Sequence, residues 1–225
     1  MYDLIIIAKS SDPQLIAMTQ QTIDTARADG ADMRVIVVET GPYHKYRDCD
    51  VSVFYKEDFC YNHALNLGLL EAKGDIHILA NNDLVFRHGW SKVGDIMKAN
   101  NCHSASVLSQ DIRQRNFERG DVIYEGYGVG SHITGWLIFL DDYCLSKIGK
   151  LDESFKFWYS DDVYALQLRA AGVKHYLICN CQVDHIMSQT LIKQSNHKKR
   201  AYQTGEYNKF KNIKRKYESN IFKNA

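Results

Sequence analysis

The sequence predicts an α/β fold: a mixed, mainly parallel sheet with helices on both faces, followed by a basic C-terminal extension. Three observations predict it. Apolar runs of strand length recur at residues 2–8, 34–39 and 75–80, and uninterrupted apolar strands are those buried on both faces of a sheet. Segments with apolar residues at helical spacing lie between them. The resulting order, β-α-β-β-α-β, is that of crossover connections between parallel strands.

Residues 2–8 are the first strand. Lys9-Ser10-Ser11-Asp12-Pro13 turns the chain into a helix, because Ser or Asp caps a helix and Pro fits its first turn. Leu15, Ile16, Thr19, Ile23 and Ala26 then repeat at helical spacing, and Gly30 ends the helix. Residues 34–39, rich in Val and Ile, are the second strand, left through Glu39-Thr40-Gly41-Pro42. Residues 51–55 form a short third strand. Asp58 is placed to cap a helix over 59–72, in which Ala64, Gly68 and Ala72 stand four apart on one face. Small residues there let a helix lie close to a sheet. The strand 75–80 follows, then a helix over 89–99 and a strand over 102–108. Residues 109–131 are irregular, with Arg113, Arg115 and Arg119 ahead of Gly120, Gly126, Gly128 and Gly130. A long loop inside a compact domain is usually functional or disordered, and this one reads as a lid or an acceptor loop. A strand over 134–140, a helix over 142–148, a helix over 161–171 ended by Gly172, and a strand over 174–179 complete the fold. Past His185 the chain is polar and basic, helical in part from Gln194.

The 225 residues divide into one large domain, 1–192, and an extension, 193–225. An apolar share of 45% supports a real core. The first apolar run is only strand-length, without the flanks of a signal peptide, and no segment approaches a membrane span. The expectation is a soluble, cytoplasmic protein. The six cysteines form no CxxC pair and no zinc spacing, so they read as reduced, mostly buried residues. Neither GxGxxG after the first strand nor GxxxxGK[ST] occurs, which excludes a dinucleotide fingerprint and a P-loop. Net charge is near zero but uneven: from Lys198 onward the chain carries about +7, and the body about −6. That asymmetry points to a polyanion or membrane-surface contact through the tail. Packing of a C-terminal helix back onto the domain fits the tail's interleaved aromatics equally well.

The strand 75–80 stops at three polar residues, Asn81-Asn82-Asp83. In an open α/β sheet, ligands sit beyond the carboxyl ends of the strands. Asp83 therefore stands at the lip of a cleft. A carboxylate flanked by two amides suits a hard divalent cation with bound phosphates; the same residues also suit a plain Asx-turn.

Asn62-His63-Ala64-Leu65-Asn66-Leu67-Gly68, Gly74-Asp75 and Asn81-Asn82-Asp83 resemble the front half of a GT-A glycosyltransferase of the family 2 type. Thr134-Gly135-Trp136, then Ile148-Gly149-Lys150-Leu151-Asp152-Glu153-Ser154-Phe155, resemble its later segments. So do Trp158-Tyr159-Ser160-Asp161-Asp162, Val183-Asp184-His185 and Ser188-Gln189-Thr190. The resemblance runs in order over residues 1–190 and leaves the tail unexplained. It implies a nucleotide-sugar donor, an inverting transfer to an acceptor hydroxyl, and Mn²⁺ or Mg²⁺. The family's DxD site falls on Asn81-Asn82-Asp83, but its first carboxylate is replaced by Asn81. The metal then rests on Asp83, with His185 as second ligand and Asn81 and Asn82 as neutral partners of ribose, water or phosphate. A packed loop histidine is the bland alternative for His185.

Glycosyl transfer needs a cation to stabilise the leaving diphosphate and a carboxylate to take the acceptor's proton. Asp161 and Asp162 are the candidates for that base. Both sit at a helix N-terminus, where the dipole favours an anion; family spacing favours Asp161, and simple capping acids are the alternative. Donor binding is expected at Ala8, Ser10 and Glu39, and from Asn62 and Asn66. Asn66 reads equally well as a packing amide. Acceptor binding is expected at Gly135, Trp136 and Trp158, whose rings match the apolar faces of sugars but also suit a core. The acceptor is read as a saccharide or glycan, with a hydroxymethylated base in DNA as the runner-up. A non-catalytic nucleotide-sugar binding or scaffold domain is the rival from another class, favoured by Asn81. A nucleotidyltransferase fits poorly, since Lys9-Ser10-Ser11 is no Gly-rich phosphate loop.

Overall fold

A computed structural model describes residues 1–186 and a helix over 196–224, with side chains described over 205–219 of that helix. Ser188-Gln189-Thr190 and Gln194 lie outside the described residues. In chain order the first half consists of β1 (Tyr2–Ala8), α1 (Pro13–Arg27), β2 (Met33–Glu39), β3 (Val51–Phe54), α2 (Tyr61–Leu70), β4 (Ile76–Asn81) and β5 (Leu84–Phe86). A 3-10 turn at Trp90–Lys92 leads into α3 (Val93–Ala99) and β6 (Ser104–Leu108). Then come β7 (Ile123–Glu125), β8 (Leu137–Asp141), α4 (Asp142–Ile148), α5 (Ser160–Ala171), β9 (Tyr176–His185) and α6 (Asn196–Asn224).

The strands form one nine-stranded sheet in the order β3-β2-β1-β4-β8-β6-β9-β5, with β7 also on β9. The first four are parallel to one another. β8 is antiparallel to both β4 and β6, and β9 returns parallel to β6. Alternating side chains of one strand serve opposite faces of a sheet. Leu4, Ile6, Val35, Val37 and Ile78 pack under α1 with Ile23 and Trp90. Ile5, Ile7, Ile36, Val38 and Leu79 pack under α2 and α5 with Ala64, Leu65 and Tyr164. Each such fully buried side chain contributes roughly 1.5–3 kcal/mol.

From β1 the chain crosses through α1 to β2 on one side, then returns through α2 to β4 on the other. The strand order reverses between β1 and β4, and a crevice forms outside their carboxyl ends. Gly68 brings α2 close enough to seat it: a Cβ there would lie 2.3 Å from Ile5 Cγ2 and 3.2 Å from Val38 Cγ2.

Several expectations are corrected. Asp58 caps no helix. The Tyr55 hydroxyl donates to Asp58 O and accepts from Cys60 N, bending 55–60 into a loop, so α2 starts at Tyr61 without a side-chain cap. The Tyr61 N–H goes to Lys156 O. The helix expected over 89–99 is broken at its start, because Asp29 draws the N–H groups of Gly89 and Ser91 onto its carboxylate. β5 has no counterpart in the expectations. β9 runs six residues past the end foreseen for it, to His185, through the alternation Asn180, Cys181, Gln182, Val183 and Asp184. The tail, over 205–219, is a helix whose half-buried stripe Glu206, Phe210, Ile213 and Tyr217 faces the domain. No helix among the described residues is long and apolar enough to cross a membrane.

Gly68→Ala is expected to lower stability by about 1–3 kcal/mol through overpacking, although Ala favours a helix by ~1 kcal/mol over Gly. Urea unfolding of the two chains measures it. An unchanged midpoint would mean that α2 sits farther from β1 than described.

Candidate active site

The crevice at the carboxyl ends of β1 and β4 is a cleft of about 600 Å³. Its floor on one side is Ile7, Ala8 and Lys9, and on the other Asn81, Asn82 and Asp83. The Ala8 carbonyl accepts from both N and Oγ1 of Thr40, joining the loops that leave β1 and β2. Glu39 completes that joint from beneath. It is 2% exposed; Oε1 accepts from the N–H groups of Ser10 and Gly41 at 2.9 and 2.7 Å, and Oε2 from Ser10 Oγ at 2.5 Å. Ser10 Oγ also lies 2.7 Å from the Tyr46 hydroxyl. Glu39 and Ser10 are thus a buried clamp behind the cleft, not groups presented to a ribose as expected.

Asn62 is likewise turned away from the cleft, and Asn66 takes its alternative role, the packing amide. Neither lines the cleft. Asn62 Nδ2 donates to Asp152 O, and Asn66 Nδ2 to Leu151 O and Glu153 Oε1, while Asn66 Oδ1 accepts from Leu151 N. Both amides fasten segment 151–153 to α2.

Asn81, Asn82 and Asp83 have three different environments. The Tyr61 hydroxyl lies 2.8 Å from Asn81 Oδ1 and 3.0 Å from Gly135 O. Burial, reinforced by the charges of Asp161 and Asp83, pushes the Tyr61 phenol far above its ordinary range, so it stays a donor. With Oδ1 engaged, the group Asn81 has left for a ligand is its NH₂. Asn82 Nδ2 donates to Thr19 Oγ1 and is held by α1. Asp83 is 5% exposed and faces His185, with Oδ1 and Nε2 3.1 Å apart. Both atoms are buried, and neither makes a hydrogen bond among the described residues. β5 pairing with β9 sets Leu84 opposite His185, and Asp83 O accepts from Ile186 N. The Trp136 ring stacks on the His185 ring at 5.0 Å and 17°.

Two orphaned ligand atoms aimed at one another fit a cation. Ligands at ~2.1 Å on adjacent octahedral positions stand about 3.0 Å apart. No group of three or more His, Cys, Asp and Glu poised for a metal exists among the described residues. Two protein ligands suit Mg²⁺ or Mn²⁺, which usually complete their shell with substrate phosphates and water.

The far wall carries Asp161, in the first turn of α5. Gly135 lets it in: a Cβ on Gly135 would lie 2.8 Å from Asp161 Oδ2. Burial raises the Asp161 carboxyl above the ordinary range, opposed by hydrogen bonds from the backbone and by Arg113. Asp162 does not line the cleft; burial and the Asp161 charge push it up to about 6, with Lys214 opposing. Of the two candidates, the structure brings Asp161 to the cleft. Trp136 and Trp158 both line it, joined by Phe59, Phe157 and Tyr159.

Arg113, foreseen only as part of the irregular loop, also lines the cleft. Asp111 grips it through both carboxylate oxygens. Gly130, at φ 83°, leaves its path clear, since a Cβ there would lie 2.2 Å from Arg113 Nη1. Tyr61 and Glu206 are cleft residues that the sequence reading missed. Tyr61 stands directly before the Asn62 motif; Glu206 is one of two acids in an otherwise basic tail.

No protein-family model and no curated protein sequence matches the chain. Solved structures match its fold. GalNAc-T7 with UDP, GalNAc and Mn²⁺ aligns with a TM-score of 0.65 at 12% identity, over 83% of this chain and 44% of that one. The mannosyltransferase PcManGT from Pyrobaculum calidifontis, with GDP-Man and Mn²⁺, aligns at 0.62 and 12%, over 84% and 57%. S. aureus TarS aligns at 0.60 and 10%, over 83% and 37%. The chain spans less than two thirds of each of these structures. The fold is GT-A.

Asp162 gives a test that needs no ligand. Folding raises its pKa from 3.8 to about 6. The protonated form therefore favours the fold; that contribution is complete below about pH 4 and is lost as pH rises through about 6. Asp162→Asn removes the buried charge. It is expected to raise Tm by about 2–4 °C at pH 8 and to leave it unchanged near pH 4, read by thermal melts across that range.

Proposed function

We propose that the chain transfers a sugar from a nucleoside-diphosphate sugar to a hydroxyl of a saccharide or glycan, with inversion and with a divalent cation. The observation that carries this reading is the buried pair Asp83 Oδ1 and His185 Nε2, within ion-pair distance of each other at 3.1 Å and without a hydrogen bond among the described residues. It stands in one cleft with Asp161. The ligands of GalNAc-T7 and PcManGT, a nucleotide or sugar nucleotide with Mn²⁺, support the same ligand class here.

Asp83 and His185 would hold the cation, and Mn²⁺ or Mg²⁺ there supplies Lewis-acid stabilisation to a leaving diphosphate. The backbone at Ala8 and Lys9, braced by Glu39 and Ser10, forms a rigid floor for the nucleoside. Asn81 offers its NH₂ to a ribose or phosphate oxygen. Trp158, Phe157 and Tyr159 offer ring faces to an acceptor sugar. Asp161 takes the acceptor's proton. Burial raises its proton affinity, which strengthens it as a base. Inversion requires that the base approach the sugar from the face opposite the diphosphate.

A second reading has one observation in its favour. Asn81 leaves Asp83 as the only carboxylate of its triplet, which suits a domain that binds a sugar nucleotide without turning it over. Asp161 separates the two readings.

A thermal-shift screen of nucleoside diphosphates with Mn²⁺ or EDTA is the first test. Ligand at ~100 Kd adds roughly 2.7 kcal/mol. A Mn²⁺-dependent rise is expected with one nucleotide and is expected to vanish in Asp83→Ala and His185→Ala. No response to any nucleotide would overturn both readings.

Asp161→Asn is expected to keep that nucleotide response and to lower transfer roughly 10²–10⁴-fold. Wild-type transfer should rise with pH through a pKa above the ordinary carboxylate range, and the variant should lose that limb. Undiminished turnover in the variant would remove Asp161 as the base.

A further inference from the structure

Helix α6 lies against the segment that leads into α5. Glu206 Oε1 accepts from Lys156 N at 2.5 Å, and Oε2 from Trp158 N at 2.9 Å. The Phe210 ring stacks on Tyr159 at 5.0 Å and 11°, and meets Phe155 at 6.3 Å. Lys209 Nζ reaches Ser154 O, and the Tyr217 hydroxyl lies 3.4 Å from Asp152 Oδ2. On its other side the same segment is held by Tyr61 N, which donates to Lys156 O.

This segment is under conformational load. Tyr159 is the N-cap residue of α5 and sits at φ 65°, in the left-handed region, without a side-chain cap bond. A non-glycine residue there costs of order 1–3 kcal/mol and persists only when its surroundings hold it. Two residues later comes Asp161. Glu206, Lys156, Trp158, Tyr159 and Asp161 all line the cleft.

Elsewhere the inward stripe of the helix is apolar or aromatic, at Phe210, Ile213 and Tyr217; position 206 differs. It carries instead one of the two acids in a run of nine Lys and Arg, turned inward onto two backbone N–H groups. A carboxylate bonded to N–H donors is a stronger and more directional tie than an apolar contact.

We propose that α6 is a fixed wall of the acceptor half of the cleft, with Glu206 as a positioning residue. Through the amides of Lys156 and Trp158 it sets the Trp158 ring and the entry of Asp161 into α5. The inference rests on the transferase reading and assigns acceptor selection to an element outside the sheet.

The test uses the full chain with Glu206→Ala and Glu206→Gln, checked for cooperative melting. Gln retains one oxygen acceptor and loses the other. Hydrogen exchange is followed at residues 155–161, and nucleoside diphosphate release is measured from UDP- and GDP-sugars with a mixture of simple saccharides. Glu206→Ala is expected to speed exchange at Lys156 and Trp158. It should lower kcat by about tenfold to a hundredfold, the effect of misplacing reacting groups by about an ångström, while donor KM moves less than twofold. Glu206→Gln should recover part of kcat. Unaltered exchange would show that Glu206 does not hold the segment. Faster exchange with unaltered kcat would reduce its role to packing. Either result overturns the proposal. A wild type that turns over no sugar nucleotide would overturn the transferase reading and the positioning role with it, while faster exchange in the variant would still locate α6 on the cleft.

Discussion

The cleft depends on a three-residue strand. β5 pairs with the end of β9, and the pair Leu84 and His185 fixes the two residues that face each other across it, Asp83 and His185. These lie about a hundred positions apart in the chain, and a few backbone hydrogen bonds, each worth about 0.5–1.5 kcal/mol net, would hold them weakly. β5 is secured from its other edge. Thr22 Oγ1 accepts from Leu84 N and lies 3.1 Å from Leu84 O, and Thr25 Oγ1 accepts from Phe86 N. Leu84, Phe86 and Val183 are buried beneath. Arg87 closes the pairing on Asp184. Asp83 and His185 are therefore held by α1, β5 and β9 together.

That rigidity decides what the electrostatics can do. Asp83 is buried opposite an imidazole, and Asp161 is half-buried in the far wall, where the Arg113 guanidinium opposes its upward shift. Tyr61 lies between them, its phenol kept protonated by burial and by both carboxylates. It ties Asn81 to Gly135, and thus the donor floor to the loop on which Asp161 rests. Removing charge from water raises the proton affinity of a carboxylate. A base near the acceptor gains from that shift, whereas a metal ligand would lose by it. In the proposed reading a cation held at Asp83 would offset the burial there, whereas the Arg113 guanidinium only partly offsets it at Asp161, which would separate the two tasks.

How much of this was legible in the sequence follows from the range of each interaction. The strands 2–8 and 34–39 and the helix after Pro13 are written in local patterns of burial, and they are where expected. Asp83 is legible because a strand end in an open sheet is a special place. Asp161 and His185 were reached through ordered motifs rather than from their own surroundings. Glu39, Asn62 and Asn66 read as ligand groups because their residue types suit a ligand. Their actual partners are internal, mostly backbone atoms with the Ser10 hydroxyl and the Glu153 carboxylate, some of them 85–90 positions away, and no local signal distinguishes an internal partner from a substrate. β5 is too short for periodicity to register. The inward turn of Glu206 shows only as an acid out of place in a basic run.

The two halves of the cleft are built by different means, and this bears on where specificity resides. In the proposed reading the donor half stands on the ends of parallel strands whose central Ile and Val residues, among them Ile5, Ile6, Ile36, Val37 and Ile78, are buried on both faces. Its geometry is a by-product of the sheet. In the same reading the acceptor half stands on segment 151–160, which is not itself part of the sheet, although its Leu151 and Phe155 are buried. It is held by the amides of Asn62 and Asn66, by Tyr61 N, by a left-handed Tyr159 and by the carboxylate of Glu206. Substitutions at those hydrogen bonds, unlike substitutions at Leu151 or Phe155, would reshape the wall while leaving the buried side chains in place. In the proposed transferase reading, the sheet would constrain the donor chemistry, while α6 and the segment it grips would select the acceptor that meets Asp161.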